Sequence, residues 1–180
     1  MAESQTRKTN GDILIVDDAL PNLRLLSRML KNNNYQVRAI SNSAMVMTVV
    51  NAEPPDLILL DINMPDQNGY DICQALKAEP QTREIPVIFI SALDDVLDKV
   101  RAFSVGGVDY ITKPFQVEEV LARVKTHLTI GLLQNELEQQ VQDLKSLTDN
   151  LVQANEELQA SNDELNAFAH NVAHDLKNPL

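Results

Sequence analysis

Three unbroken apolar runs constrain this chain most: Ile13-Leu14-Ile15-Val16, Leu57-Ile58-Leu59-Leu60 and Val87-Ile88-Phe89-Ile90. Runs of large apolar residues cannot alternate between core and water, so each reads as a strand buried on both faces, as parallel strands are. Two mixed stretches, Tyr35 to Ile40 and Val108 to Thr112, read as edge strands. Helical segments fit between them, at about Pro21 to Asn33, Ser43 to Asn51, Tyr70 to Ala78, Asp94 to Val105 and Val117 onward. This alternation predicts an α/β domain with a doubly wound five-stranded parallel sheet in the order 2-1-3-4-5. Asn68-Gly69, Gly106-Gly107 and Glu53-Pro54-Pro55 punctuate the helix boundaries in agreement.

Ligands of such sheets bind outside the carboxyl ends of the strands, where the strand order reverses. The first strand ends in Asp17-Asp18 and the third in Asp61. Three converging carboxylates repel one another unless a cation sits among them, and oxygen-only donors select a hard ion such as Mg²⁺. Ser91 follows the fourth strand and can donate a hydroxyl; Lys113 follows the fifth and supplies positive charge. These are the parts of phosphoryl transfer: a carboxylate nucleophile, a metal, a hydroxyl and a lysine. Singly, each has a plainer reading: Asp18 as a cap of the first helix, Ser91 as another cap, Lys113 as a solvated side chain. All occurring in order at strand ends favours chemistry. A flavin-binding domain of the same topology would need a Ser/Thr/Gly-rich phosphate loop where Asp17-Asp18 stand.

The blocks Ile15-Val16-Asp17-Asp18, Leu59-Leu60-Asp61-Ile62-Asn63-Met64-Pro65, Ile90-Ser91-Ala92 and Lys113-Pro114-Phe115 resemble the signatures of response-regulator receiver domains. The resemblance covers about residues 11 to 127 and implies a flavodoxin-like fold. It implies that Asp61 accepts a phosphoryl group from a phosphohistidine protein. Asp18, Asp61 and the backbone carbonyl of Asn63, helped by Asp17, would hold Mg²⁺. Ser91 and Tyr110 would form a switching pair, although Tyr110 on an edge strand also suits simple packing. The Lys113-Pro114 bond is expected to be cis. Asn68-Gly69 stands where the family often has Asp-Gly, a departure that touches no catalytic role.

Beyond His127 the texture changes. No glycine follows Gly131, proline returns only at Pro179, and a leucine-based heptad runs through Ile130, Leu137, Leu144, Leu151, Leu158, Leu165 and Val172. Taken as d positions, these leave Gln134, Val141, Thr148, Asn155, Asn162, Ala169 and Leu176 at a. Leucine at d with asparagine at some a sites predicts a long C-terminal α-helix forming a parallel homodimeric coiled coil through residues 128–176. The a sites are mostly polar or small, and a rival stripe at g (Leu133, Leu147, Ala154, Phe168) competes after a modest rotation. A coil poised between two seams is the expectation. A single helix folded back on the domain is the alternative, and the length of the repeat disfavours it.

Phe168 to Leu180, with its core His174-Asp175-Leu176-Lys177-Asn178-Pro179-Leu180, resembles the H-box of sensor histidine kinases. The resemblance implies a second phosphoacceptor at His174, which falls at the outward f position, with Asp175 as its base. An ordinary exposed histidine is the plainer alternative. A straight helix from Leu128 to His174 is about 70 Å long, so Asp61 and His174 of one rigid dimer would not meet. The receiver therefore reads as an input from another protein's histidine. The chain stops inside this block, without an ATP-binding domain, and reads as part of a longer histidine protein kinase. By itself it is at most a receiver that phosphorylates and dephosphorylates itself. A stand-alone response regulator with a docking or dimerisation coil is the alternative.

The expected organisation is a disordered N-terminus at 1–10, a receiver at 11–127, a signalling coil at 128–167 and a truncated dimerisation helix at 168–180. The net charge of −11 argues against nucleic-acid partners and against an anionic membrane surface. Met1 to Gly11 lacks an apolar core, so no secretion signal is read, and no apolar run reaches membrane-spanning length. The single Cys73, placed on an apolar helix face, reads as a buried reduced thiol in a cytoplasmic protein.

Overall fold

The computed structural model describes residues 9–92 and 96–177, with side chains for all of these except 96–99 and 173–177. The elements are β1 (Asp12–Val16), α1 (Leu20–Asn32), β2 (Gln36–Ile40), α2 (Val46–Ala52), β3 (Leu57–Asp61), α3 (Gly69–Ala78), β4 (Val87–Ser91), α4 (Val96–Ser104), β5 (Asp109–Thr112) and α5 (Val117–Lys177). A 3-10 turn, Ser43–Met45, leads into α2, so the segment expected as one helix is two. Asn42 caps that turn by accepting from the Ala44 N–H at 2.9 Å.

All four ladders are parallel and the order is β2-β1-β3-β4-β5, the doubly wound arrangement expected. The three apolar runs form the centre and the two mixed stretches the edges. Asp61 closes β3 as expected, and Ser91 is the last residue of β4 rather than a loop residue beyond it. Ladder pairing is a backbone property, so a polar side chain at a strand's end does not break it.

Successive strand side chains point to opposite faces, which divides the core in two. Leu14, Val16, Ile58, Leu60, Val87 and Phe89 pack under α2 and α3 with Val46, Val50, Ile72 and Leu76. Ile13, Ile15, Leu57, Leu59, Ile88 and Ile90 pack against α1 and the start of α5 through Leu26, Leu30, Val120, Val124 and Leu128. The α5 residues recur at intervals of four, one stripe of a helix. Cys73 is buried in the first cluster as expected, and burial pushes its thiol up to about 11.

The chain divides into two compact units, Met1–Leu132 and Leu133–Leu180. The second is helical through Lys177, and every described side chain from Leu133 to Val172 is exposed. Among the described residues no helix is long and apolar enough to cross a membrane.

Candidate functional site

Each of the residues singled out at a strand's end lies at the carboxyl edge of the sheet. Asp17 and Asp18 follow β1, Asp61 closes β3, Ser91 closes β4 and Lys113 follows β5. Carboxylate oxygens of Asp17, Asp18 and Asp61 lie within 4.8 Å of one another. Asp17 is fully buried and Asp61 nearly so, while Asp18 is exposed. Oxygen donors in this number and spacing suit Mg²⁺, and the residues present fit it.

Lys113 joins the group. Its Nζ stands 2.9 Å from Asp17 Oδ2 and 3.0 Å from Asp61 Oδ2. The Lys113 N–H donates to the Ser91 carbonyl at 2.7 Å, which extends the β4–β5 pairing up to the site. The Lys113-Pro114 peptide is cis. Burial disfavours the ammonium, but hydrogen bonds to Asp17 and Asp61 outweigh it and hold its pKa above the usual lysine range. Asp61 shifts upward as well. Burial raises it, Lys113 and the Asn63 N–H pull it down in part, and the charge of Asp17 pushes it up again.

Asp17 takes up the capping role considered for Asp18. Its Oδ1 accepts from the Ala19 N–H at 2.8 Å, and Ala19 is the N-cap residue of α1 with no side-chain cap of its own. The Asn22 amide, in the first turn of α1, reaches both Asp17 oxygens at 3.1 and 2.9 Å. Asn22 is absent from the sequence reading because a polar residue early in a helix looks like ordinary surface.

Gly69 also bears on the site. A Cβ there would come within 2.3 Å of the Asp61 carbonyl oxygen, and the Gly69 N–H donates to the Ile62 carbonyl at 2.9 Å. Asn68 caps α3 by accepting from the Tyr70 N–H at 2.9 Å. Sequence alone makes this turn remote from the chemistry; in the structure its glycine packs against the backbone of Asp61.

Tyr110 pairs with Phe89 in the β4–β5 register and Ser91 with Thr112, so by strand alternation Ser91 and Tyr110 share one face of the sheet. The Tyr110 ring meets Phe103 edge-on at 6.1 Å, and the Arg123 guanidinium lies 5.7 Å from its centroid. Arg123 also donates to Asp109 at 2.6 Å, and His127 Nε2 stands 3.1 Å from the same carboxylate. Asp109 is thereby held below the usual carboxylate range: burial raises it, but Arg123, the Tyr110 N–H and His127 outweigh that. This tie between β5 and α5 is likewise missed by sequence, which gives His127 no role beyond helix surface or seam. His174 and Asp175 lie on the helical backbone of α5, and their side chains fall outside the described residues.

Fold and site together define a flavodoxin-like receiver domain of the two-component type. Residues 13–125 match the family described as the response regulator receiver domain, and the chain belongs to that family. It is 37% identical over 127 residues to the response regulator PleD of Caulobacter vibrioides, covering 71% of this chain and 28% of that protein. It is 39% identical over 116 residues to the transcriptional regulator RpaA of a Synechocystis strain, covering 64% of this chain and 48% of that one. The receiver domain of a signal transduction histidine kinase from Syntrophus aciditrophicus superimposes with a TM-score of 0.62 at 36% identity, over 66% of this chain and 90% of that one.

Proposed function

We propose that Asp61 accepts a phosphoryl group from a phosphohistidine of another protein, and that α5 carries the change of state to a histidine-kinase core. The observation that supports this best is the single Lys113 ammonium shared by Asp17 and Asp61, beside the exposed carboxylate of Asp18. An Asp61 oxygen bonds to phosphorus as the N–P bond of phosphohistidine breaks. The electron pair leaves on the imidazole nitrogen, which takes up a proton. Lys113, already within reach of Asp61, follows the new negative charge, and the Ser91 hydroxyl donates to a phosphoryl oxygen. Asp18, Asp61 and the Asn63 carbonyl, with Asp17, would hold Mg²⁺, which neutralises phosphoryl oxygens when bound. Ser91 and Tyr110, on one sheet face, serve as the switching pair.

Incubation with phosphoramidate and Mg²⁺ tests this by intact mass. The wild-type chain gains one phosphoryl group and Asp61→Asn gains none. An adduct that persists in Asp61→Asn overturns the assignment.

The heptad of α5 supports a parallel homodimer. In a parallel pair a layers face a layers, so Gln134, Thr148, Asn155 and Asn162 each meet their own kind, whereas antiparallel pairing sets them against leucine. Acidic residues between Leu133 and Val172 fall at b and c, away from the seam, except for Glu138 at e. His174, with Asp175 as base, is the second phosphoacceptor in this reading, and the parent protein is a histidine kinase of the kind that supplied the Syntrophus domain. Cysteine crosslinking at d and g positions, with and without phosphate, tests whether the coil changes seam; an unchanged pattern sinks that part. The acidic balance keeps nucleic acid from the list of partners, and the buried Cys73 thiol fits the cytoplasm.

A stand-alone response regulator is the second reading, favoured by the names of PleD and RpaA. Coding sequence for an ATP-binding domain beyond Leu180 separates the two.

A further inference from the structure

We propose that Asn22 is a positioning residue for phosphorylation, whose amide braces Asp17 and so fixes where the Lys113 ammonium stands. The inference rests on the reading of Asp61 as phosphoacceptor.

The hydrogen bonds of Asp17 carry it. Oδ1 accepts from the Ala19 N–H at 2.8 Å and from Asn22 Nδ2 at 3.1 Å. Oδ2 accepts from Asn22 Nδ2 at 2.9 Å and from Lys113 Nζ at 2.9 Å. A carboxylate offers roughly four acceptor sites, and here protein donors fill them. Asp17 is therefore a fixed buried anion that anchors Lys113 and helps the cation site by its charge, and Asp18 and Asp61 are left to ligate a cation directly.

The terminal torsion of an aspartate is soft and two-fold, so burial alone does not fix the carboxylate plane. Among the described residues Asn22 is the donor that reaches both oxygens, and it fixes that plane without adding charge. Without it, among the described residues, one Asp17 oxygen keeps Ala19 and the other Lys113. The carboxylate then turns toward the cation, and Lys113 moves with it, away from Asp61.

Asn22→Leu removes both hydrogen bonds at similar size. Phosphorylation by phosphoramidate at saturating Mg²⁺ slows by about tenfold, the effect of a slightly misplaced catalytic group. Mg²⁺ binding to the unphosphorylated protein, measured by calorimetry, tightens by about threefold or more because the released carboxylate oxygen adds a charged ligand. General damage to the fold would weaken both together. In an Asp17→Asn background, Asn22→Leu costs less than about twofold further, since the brace has lost its object. Asn22→Ala, which removes the amide without adding charge, carries the same expectations should Asn22→Leu fail to fold.

A rate within about twofold of wild type overturns the inference. So does an equal loss in the Asp17→Asn background, or Mg²⁺ affinity that falls with the rate. If wild type itself takes no phosphoryl group, the proposed function fails and this inference with it. If wild type is phosphorylated and Asn22→Leu matches it, only the inference fails.

Discussion

The sheet of the first unit and the helix of the second treat the same apolar residue in opposite ways. Leu59 on β3 has no solvent exposure, whereas Leu151 on α5 is 63% exposed. The sheet finds partners for its leucines on both faces within one chain. The helix displays them in strict sevenfold repetition without covering them. A periodic apolar seam is instruction for a second surface, and an unbroken apolar strand is instruction for the chain's own core.

The largest effect should come from cutting the two leucines back. Leu59→Ala destabilises the first unit by about 2–5 kcal/mol, read from urea unfolding. Leu151→Ala leaves that unfolding within about 0.5 kcal/mol. On the coiled coil proposed for α5, its effect falls on self-association, as a weaker dimer in sedimentation equilibrium. A Leu151→Ala chain that associates as wild type does would break the comparison.

Glycine sharpens it further. Gly69→Ala drives a methyl group into the Asp61 backbone and costs about 1–3 kcal/mol, read from thermal unfolding. Gly131→Ala meets nothing within 4 Å and stabilises α5 by about 0.5–1 kcal/mol, read from helical circular dichroism on heating.

The smallest effect concerns pH. Asp61 has its pKa raised in the folded state by burial, so its ionisation opposes folding. Stability is lower above the folded pKa and is regained as pH falls through that value toward the unfolded one, about 3.9. Mg²⁺-free Asp61→Asn should therefore melt above wild type at neutral pH, with the gap closing below about pH 4. A gap that widens in acid contradicts the shift.

Sequence made the sheet legible because four adjacent aliphatic residues admit few structures, and the strand order then placed Asp17, Asp18, Asp61, Ser91 and Lys113 at one edge. Relations across the chain stayed hidden. Asn22 looks solvated until α1 is seen to start beneath Asp17. Gly69 looks like a turn residue until its nearest neighbour is seen to be Asp61. Asp109, Arg123 and His127 are ordinary charged or polar letters whose meeting depends on how β5 lies against the start of α5. The heptad is the reverse case. Its pattern was plain in sequence, yet a single chain offers nothing for it to close upon.

One consequence follows from the sharing of Lys113. Among the described residues, three acidic groups set against one ammonium leave the pocket two elementary charges from electroneutrality. On the function proposed for Asp61, a doubly charged ion would restore the balance while Asp61 is bare, and forming an acyl phosphate there would upset it once more. The modified domain would then be short of positive charge, and whichever neighbouring donor swung in to restore neutrality would be the moving part of the signal.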